Sequence, residues 1–385
     1  MKISILLPYK ENFSPVYAGA VSLYVNDTVR ISKFVKNIVV YGNTNFKKIF
    51  NLNYQNIPLT KISFQSLSKK YVEQFIKIEK KHNSDLIEIH NRPNYIDLLR
   101  NNTKAKLVLY FHNDPLSMIG SKDIKERIGL LEKCSKIIFN SEWSKKRFIT
   151  KIDKFIHNSE KLEVIQQSAN KIKKLNLKSK KNIITFVGKL NSAKGYDLFG
   201  KAVLKILKKH KDWSAYVIGD EHRENIIFDH KNLILKGFLP HDKVLKIFDQ
   251  TNIAVVCSRW EEPFGRTGLE ASSRGCAVII SNRGGLPETI TNGIILNDLN
   301  VNNLFNEIDD LIKNKKKREE LQKLSFKNFY LTHQYISKKI DKYRTYLLDK
   351  KKFLSPNINI RKNLKILHIT NFNERHNGRL FYNTG

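Results

Sequence analysis

Short apolar runs alternate with longer amphipathic stretches through the first 170 residues. The amphipathic stretches include residues 21–35 and 68–80, where apolar residues recur at helical spacing. The apolar runs cover residues 3–7, 38–41, 86–90, 107–111, 137–140 and 164–166. Strand-like runs separated by helical patterns predict a parallel sheet with helices on both of its faces.

A second alternation of the same kind begins at residue 182. It follows a basic stretch at residues 171–181 that lacks apolar periodicity and is typical of a linker. Its apolar runs cover residues 182–187, 215–218, 233–235, 253–257, 278–281 and 293–296. A chain of 385 residues is too long for one ordinary core and suits two domains. We therefore predict an α/β protein with one domain at residues 1–170 and another at residues 181–325.

The sequence Glu262-Pro-Phe-Gly-Arg-Thr-Gly-Leu-Glu270 follows one of these apolar runs and precedes a run of small residues. This order predicts a strand, a loop and the first turns of a helix. A helix N-terminus presents free N–H groups and a partial positive charge, which suit a phosphate. A Glu one turn inside that helix can accept hydrogen bonds from sugar hydroxyls. The segment therefore predicts a sugar-nucleotide site, whereas either Glu taken alone is equally consistent with a charge that only favours the helix start.

The two glutamates, separated by seven residues, are followed by Gly-Cys-Ala-Val-Ile-Ile-Ser at 275–281 and Gly-Gly-Leu-Pro-Glu at 284–288. This combination resembles the retaining glycosyltransferases of family 4, also called the group 1 glycosyltransferases. The resemblance covers about residues 1–350 and is strongest over residues 182–290. It implies the GT-B fold, in which two Rossmann-like, doubly wound domains face each other across a cleft, with the donor in the second domain and the acceptor in the first.

Two lysines five positions apart, Lys189 and Lys194, follow the first predicted strand of the second domain. Fixed cations at this place can neutralise the charge that builds on a departing diphosphate without a metal ion. In the family an Arg is common where Lys189 stands, and a Lys lacks the guanidinium fork. The resemblance implies catalytic roles for four residues, which are His112, Lys189, Lys194 and Glu262.

The resemblance also implies a set of donor-binding residues in both domains. They are Gly19, Gly188, Gly219, Phe264, Gly265, Arg266, Thr267 and Glu270. Within this set Glu270 would hold the ribose, and the backbone N–H groups of residues 264–267 would lie near sugar or phosphate. Gly19 lies in the loop after the first strand and would approach the diphosphate, although Ala20 replaces the second Gly of the family loop. Glu288 is expected to be structural.

Two further residues are candidates for binding the acceptor. His90 and Arg92 follow the apolar run at 86–90, and His112 follows the next run, at 107–111. Ligands of open α/β sheets bind at the carboxyl ends of the strands. Two histidines at neighbouring strand ends therefore favour a role at the cleft, whereas a single His is usually structural.

The end of the chain is basic and predicted to be helical over residues 315–352. A stripe at helical spacing contains Tyr335, Ile336, Ile340, Tyr343, Leu347 and Leu348, and it is expected to be core. The resemblance implies that a helix at 326–352 crosses back to the first domain. Residues 356–385 resemble the start of a further glycosyltransferase-like domain; the alternatives are a strand-like tail on a sheet edge, or disorder.

A formal net charge of +33 raises the question of an anionic partner. The lysines are spread over the whole chain, and no nucleic-acid-binding motif accompanies them, so no nucleic acid is expected. An anionic membrane surface is a further expected partner. The three cysteines are far apart in sequence and are expected to be buried free thiols in a reducing compartment. The N-terminal apolar run is too short for a signal peptide, and no run reaches 18 apolar residues, so a cytoplasmic protein is expected. The positive charge favours peripheral attachment to the inner face of the cytoplasmic membrane.

The resemblance implies a retaining, metal-independent, hexosyltransferase-type enzyme. It would move a sugar from a nucleotide-diphosphate sugar to a saccharide or lipid-linked saccharide in cell-envelope polysaccharide or lipopolysaccharide synthesis. No cofactor is expected beyond the donor. The main alternative is an inactive GT-B protein that binds surfaces or membranes, in view of the charge and of Ala20 and Lys189. A glycosidase fits poorly, because its two carboxyl groups must flank one glycosidic bond. A phosphorylase-like or epimerase activity matches the motifs less well.

Overall fold

The computed structural model describes residues 1–59, 66–156, 159–349, 375–376 and 379–380. In this part of the chain, the first sheet has seven parallel strands in the order β3-β2-β1-β4-β5-β6-β7. The strands are β1 (Ile3–Leu6), β2 (Ile38–Gly42), β3 (Tyr54–Asn56), β4 (Leu86–His90), β5 (Lys106–Phe111), β6 (Lys136–Phe139) and β7 (Leu162–Val164). Five of them lie where the apolar runs predict, and β7 begins two residues before its predicted run. The pattern misses β3, because its three residues are polar or aromatic and lie half-exposed or exposed at the sheet edge.

Five helices connect the described strands of the first sheet. They are α1 (Ala20–Val29), α2 (Leu67–His82), α3 (Ile96–Asn102), α4 (Ile124–Lys133) and α5 (Glu142–Ile149). The predicted helix at 21–35 is too long, since α1 ends at Val29. Beyond it, the Ser32 hydroxyl and the Lys33 N–H donate hydrogen bonds of 2.6 and 2.8 Å to Asp341, far along the chain. These long-range hydrogen bonds take the place of the backbone hydrogen bonds that a longer α1 would form.

The second sheet has six parallel strands in the order β10-β9-β8-β11-β12-β13 in the described residues. The strands are β8 (Lys181–Val187), β9 (Ser214–Ile218), β10 (Leu233–Leu235), β11 (Thr251–Val256), β12 (Ala277–Ser281) and β13 (Ile294–Leu296). The helices are α6 (Tyr196–Lys209), α7 (His241–Gln250), α8 (Arg266–Ser273), α9 (Val301–Lys313), α10 (Lys315–Asn328) and α11 (His333–Leu348). Every strand lies at a predicted run.

Each sheet has an apolar layer on both faces, because successive side chains of a strand point to opposite sides. Ile3 and Ile5 of β1 pack in the layer that contains α1 and α11, whereas Leu6 packs in the layer that contains α2 and α3. In the second sheet Ile253 of β11 packs with α6 and α9, whereas Ala254 packs with α7 and α8. This sandwich of helix, sheet and helix confirms the predicted α/β class.

The basic C-terminal region is two helices rather than one, because α10 ends at Asn328 and α11 begins at His333. The apolar stripe of α11 is buried at Ile336, Ile340 and Tyr343 and at the following Leu347. These residues pack in the same layer as α1 and β1. Tyr335 is an exception to the prediction, since its side chain is 42% exposed. It is adjacent to Ile336 in sequence and so points away from the stripe.

Beyond residue 349 the structure describes β14 (Arg375–His376) and β15 (Arg379–Leu380), which pair antiparallel. The predicted further domain at 356–385 otherwise lies outside the described residues. Among the described helices, none combines the length and the apolar composition that a bilayer-spanning helix needs.

Candidate active site

Two glycines lie against each other at the carboxyl edge of the second sheet. Gly188 follows β8, Gly219 follows β9, and the Gly188 N–H donates a 3.0 Å hydrogen bond to the carbonyl of Ile218. Gly219 has a φ of 134°, and a β-carbon there would lie 1.9 Å from the Gly188 carbonyl oxygen. Any side chain at Gly219 would therefore push the two strand ends apart. Both glycines shape the edge at which open α/β sheets bind ligands.

A salt bridge joins two of the residues that the sequence predicts to be catalytic. The Lys194 Nζ atom lies 2.5 Å from Glu262 Oε1, and the Ser258 hydroxyl donates to the same oxygen at 2.9 Å. The Glu262 side chain is 12% exposed, while that of Lys194 is 32% exposed. Lys194 and Ser258 thus both donate to the largely buried Glu262 carboxylate. Lys194, whose charge balances that carboxylate, remains partly exposed to solvent.

Lys189 lies apart from this salt bridge. Its side chain is exposed, and no hydrogen bond or ion pair engages it within the described ranges. The structure therefore brings Lys194 and Glu262 together and leaves Lys189 as a solvated cation just after β8. A free ammonium group can turn toward an arriving anion without first breaking a protein contact.

Helix α8 begins at Arg266 without a side-chain cap from any described residue. Gly265 precedes it with a φ of 105°, and the Thr267 hydroxyl donates to the Val187 carbonyl at 3.4 Å, which ties the helix start to β8. Uncapped N–H groups and the helix dipole favour an anion at this end. The ring of Phe264 is 1% exposed and packs in the layer of α1 and α11. Phe264 can therefore reach a ligand only through its backbone.

Two cationic or hydrogen-bonding side chains hold the Glu270 carboxylate. The Nε2 atom of His241 and the Nε atom of Arg266 each lie 2.9 Å from Glu270 Oε1. Burial by itself would raise the pKa of Glu270, but the charge of Arg266 and the hydrogen bond from His241 outweigh it and lower the pKa to about 2. Glu270 is thus ionised at neutral pH. The sequence does not single out His241 as a partner of Glu270. A hint lay in the turn at residues 237–240, because His241 directly follows that turn as the first residue of α7.

Arg266 also faces the first half of the chain. Its Nη2 atom lies 3.5 Å from Oδ2 of Asp27 on α1, and the His333 Nε2 atom lies 3.8 Å from the same oxygen. The Arg266 side chain is 11% exposed, and its Nη1 and Nη2 atoms have no hydrogen-bond partner among the described residues. The sequence predicts only a backbone contact for Arg266. Its side chain instead couples Glu270 to Asp27, which the sequence gives no reason to select.

His90 and His112 stack at the ends of β4 and β5. The His90 Nδ1 atom lies 2.9 Å from His112 Nε2, with ring centroids 5.2 Å apart and an interplanar angle of 17°. Burial, followed by the charge of Arg344, lowers the pKa of His90 to about 3. Burial, His90 and Arg266 together hold the pKa of His112 well below its usual range. Both rings are therefore neutral.

The two predicted acceptor-binding residues lie in different surroundings. His90 is 1% exposed, and its contact is His112 rather than open solvent. Arg92 is half-buried, donates from Nη1 to the Asn91 carbonyl at 2.7 Å and lies over the Tyr9 ring. The structure thus brings His90 to His112 and leaves Arg92 with local partners in the loop after β4.

The loop that carries Gly19 already holds an anionic side chain. The Ser22 N–H in the first turn of α1 donates to Glu11 Oε1 at 2.9 Å. A β-carbon at Gly19 would lie 2.4 Å from the same oxygen. The sequence predicts a diphosphate near this helix start, but the Glu11 carboxylate occupies it, since the same N–H groups attract either anion.

Contacts between the two halves brace the glutamate motif. The Ser141 hydroxyl donates to the Pro263 carbonyl at 2.6 Å. Glu288 accepts hydrogen bonds of 2.8 and 3.0 Å from the N–H groups of Glu142 and Trp143 at the start of α5. Glu288 thus links the two halves, which agrees with the structural role expected for it.

Two loops, one from each half, carry a pair of stacked aromatic rings. The exposed rings of Tyr17 and Phe238 stack with centroids 5.2 Å apart and an interplanar angle of 26°. Tyr17 belongs to the loop before α1, and Phe238 to the turn before α7. The two halves therefore meet at the loop tips as well as at the motif.

The described residues contain no group of three or more His, Cys, Asp or Glu side chains that could hold a metal ion. Cys134, Cys257 and Cys276 are buried free thiols, as their spacing predicts.

Residues 167–327 match the family model described as "Glycosyl transferases group 1". The matched segment contains both glutamates of the motif and both lysines. Over these residues the chain is similar to the glycosyl transferases group 1.

Proteins similar to this chain include spore coat protein SA of Bacillus subtilis (strain 168), 25% identical over 84% of this chain and 93% of that protein. The lipopolysaccharide core biosynthesis mannosyltransferase LpsB of Rhizobium meliloti (strain 1021) is 31% identical over 31% of this chain and 37% of that protein. Among solved structures, Anabaena Alr3699/HepE in complex with UDP and glucose has a TM-score of 0.69 at 16% identity, and the match covers 90% of this chain and 100% of that chain. This likeness confirms the predicted GT-B fold.

Proposed function

We propose that the chain transfers a sugar from a nucleotide-diphosphate sugar to a saccharide or glycolipid acceptor, with retention of anomeric configuration and without a metal ion. The observation that carries the proposal is the grouping around α8 of an uncapped helix start, the Lys194–Glu262 salt bridge and the ionised Glu270. A diphosphate suits the helix start, while carboxylates suit the hydroxyls of the sugar and the ribose.

In this mechanism the site supplies positioning and charge stabilisation. Lys189 and Lys194 stabilise the negative charge that develops on the β-phosphate as the sugar leaves. Glu262 orients the donor-sugar hydroxyls, and Glu270 holds the ribose. The acceptor hydroxyl attacks from the face that the diphosphate leaves, and the departing phosphate oxygen takes its proton. His112, a neutral side chain at the end of β5, contacts the donor sugar.

An envelope polysaccharide, such as lipopolysaccharide core or O-chain, is the acceptor class that we favour. The relative from Rhizobium meliloti carries that role in its name, as a lipopolysaccharide core biosynthesis mannosyltransferase. The net charge of +33 would attract the chain to an anionic cytoplasmic leaflet, where lipid-linked saccharides are built. The proposed location is therefore the cytoplasm, with peripheral attachment to the membrane.

The donor assignment is tested by a thermal-shift screen of nucleotide sugars. We expect a uridine or guanosine diphosphate sugar to raise the melting temperature, because a ligand at 100 times its Kd stabilises a protein by about 2.7 kcal/mol. The shift should vanish in Glu270→Ala and Lys194→Ala. It should persist in Glu320→Ala and Lys316→Ala, which remove exposed charges from α10. If no nucleotide stabilises the native chain, the donor assignment is wrong.

An inactive surface-binding module is the second candidate. It is favoured by the Glu11 carboxylate at the start of α1, since this anion competes with a diphosphate there. Release of free nucleoside diphosphate separates the two functions. An enzyme frees it in the presence of acceptor saccharides, whereas an inactive module does not with any acceptor.

A further inference from the structure

His90 and His112 come together because β4 and β5 are neighbouring parallel strands, with His90 in register with Tyr110. The backbone of His112 is fixed on both sides, since its N–H donates to Asn91 Oδ1 at 3.2 Å and its carbonyl accepts from Asn140 Nδ2 at 3.0 Å. The Tyr110 ring stacks on His90 with centroids 4.3 Å apart and an interplanar angle of 11°. The two imidazoles therefore have little freedom to rotate.

The contact couples the protons of the two rings. A neutral imidazole carries one N–H, and one proton lies in the hydrogen bond between His90 Nδ1 and His112 Nε2. If that proton belongs to His90, the proton of His112 must be on its Nδ1 atom. If it belongs to His112, the proton of His90 must be on its Nε2 atom. These two arrangements exhaust the neutral states.

The surroundings favour the first arrangement. Both outer nitrogens, His90 Nε2 and His112 Nδ1, are buried and have no hydrogen-bond partner among the described residues. Each arrangement leaves one outer N–H and one outer acceptor unpaired, and the unpaired N–H is the rarer of the two deep in a protein. His90 as a residue is 1% exposed and His112 is 7% exposed, so the unpaired N–H is less costly at His112.

We propose that His90 is a positioning residue that donates its Nδ1 proton to His112 and thereby keeps the His112 Nδ1–H available as a hydrogen-bond donor. Under the proposed function, on which this last step rests, the Nδ1–H donates to an oxygen of the donor sugar. His90 then acts through His112 and does not itself bind the acceptor, in contrast to its predicted role. The nearby cations are Arg344 on the His90 side and Arg266 on the His112 side.

The test is the tautomer of His112, measured by two-bond proton–nitrogen NMR correlations on the full chain labelled with ¹⁵N-histidine. In the native protein we expect a protonated Nδ1 and a bare Nε2. His90→Asn keeps a side-chain N–H near the Nδ1 position and should preserve this pattern. His90→Phe keeps the aromatic stack but removes the donor, and should shift the His112 proton toward Nε2.

Kinetics give a second measurement, with UDP-glucose as the probe and nucleoside diphosphate release as the signal. His90→Phe should lower kcat about tenfold, the net effect of one lost hydrogen bond, with KM nearly unchanged. His90→Asn, which keeps a donor at this position, should retain most of the native kcat. If His90 had only a structural role, the kcat of both variants would instead fall in proportion to their loss of thermal stability.

A native His112 with a bare Nδ1, or the same tautomer in native protein and His90→Phe, would overturn the proposal. The native spectrum alone can do so, even if His90→Phe fails to fold. The NMR measurement needs no bound sugar, so it remains decisive if the proposed function fails.

Discussion

At the scale of single residues, Glu270 depends most on its neighbours. A buried carboxylate without partners would take up a proton, but Arg266 and His241 keep this one ionised. Arg266 is itself shared with Asp27. The Arg266 side chain therefore holds Glu270, the ribose ligand that we propose, in the second half and approaches an acidic residue of the first. A change at Glu270 should alter both ligand binding and the stability of the free protein.

Glu270→Gln should reduce stability in a pH-dependent way. The folded-state pKa falls from an ordinary value of 4.5 to about 2, so the contribution is fully present above pH 4.5 and is lost as pH falls toward 2. This shift corresponds to about 3 kcal/mol above pH 5. Urea unfolding between pH 3 and pH 7 measures it. The exposed control Glu320→Gln should change stability little at any pH, and an equal loss for Glu270→Gln at pH 3 and pH 7 would contradict the expectation.

At the scale of elements, α11 is joined to the first sheet by a buried ion pair. Arg344 on α11 donates from Nε and Nη2 to the two carboxylate oxygens of Glu88 on β4, at 2.7 and 2.8 Å. Both side chains are at most 2% exposed. Asp341 and the Tyr343 hydroxyl complete the network. The C-terminal helix is thus held by a bidentate, desolvated contact as well as by its apolar stripe.

Arg344→Met should lower the free energy of unfolding by about 3–5 kcal/mol, because it leaves the Glu88 carboxylate buried without its cation. Glu88→Gln combined with Arg344→Met should recover part of that loss, since position 88 then carries no buried charge. Lys317→Met is a matched control, because its pair with Asp310 spans 2.6 Å but is 44% and 46% exposed. That control substitution should lower the free energy of unfolding by at most about 1 kcal/mol. Equal losses for Lys317→Met and Arg344→Met, measured by urea unfolding, would show that burial of the pair is irrelevant.

At the scale of the whole molecule, the excess of positive charge is spread over the chain. The sequence has 69 Lys and Arg residues against 36 Asp and Glu residues. We expect co-sedimentation with vesicles that contain an anionic lipid, and little with vesicles of neutral lipid. Binding should weaken steeply between 0.05 and 0.5 M salt, because the Debye length falls below about 5 Å over that range. Binding to neutral vesicles that resists salt would point to apolar insertion instead.

Much of the architecture could be predicted, because local apolar periodicity reports which side of each segment is buried. The apolar pattern fails at the two edge strands of the first sheet. It misses β3, which lacks an apolar run, and it places β7 two residues too late in the chain. The site was less predictable. The motif identified Glu262, Arg266 and Glu270, and the lysine pair identified Lys194. The partners Ser258 and His241 have no signal of their own, and nothing in the sequence indicates that the Arg266 side chain holds Glu270.

Local sequence patterns establish the succession of strands and helices, the two α/β halves and the match of residues 167–327 to the glycosyl transferases group 1. All of these depend on periodicity and on residues close together in the chain. Only the tertiary structure decided that Glu11 occupies the start of α1, that His90 faces His112 and that Asp27 meets Arg266. The reason is physical. These contacts join residues brought together by strand order and by the packing of the two halves, and no local pattern encodes the distance between them.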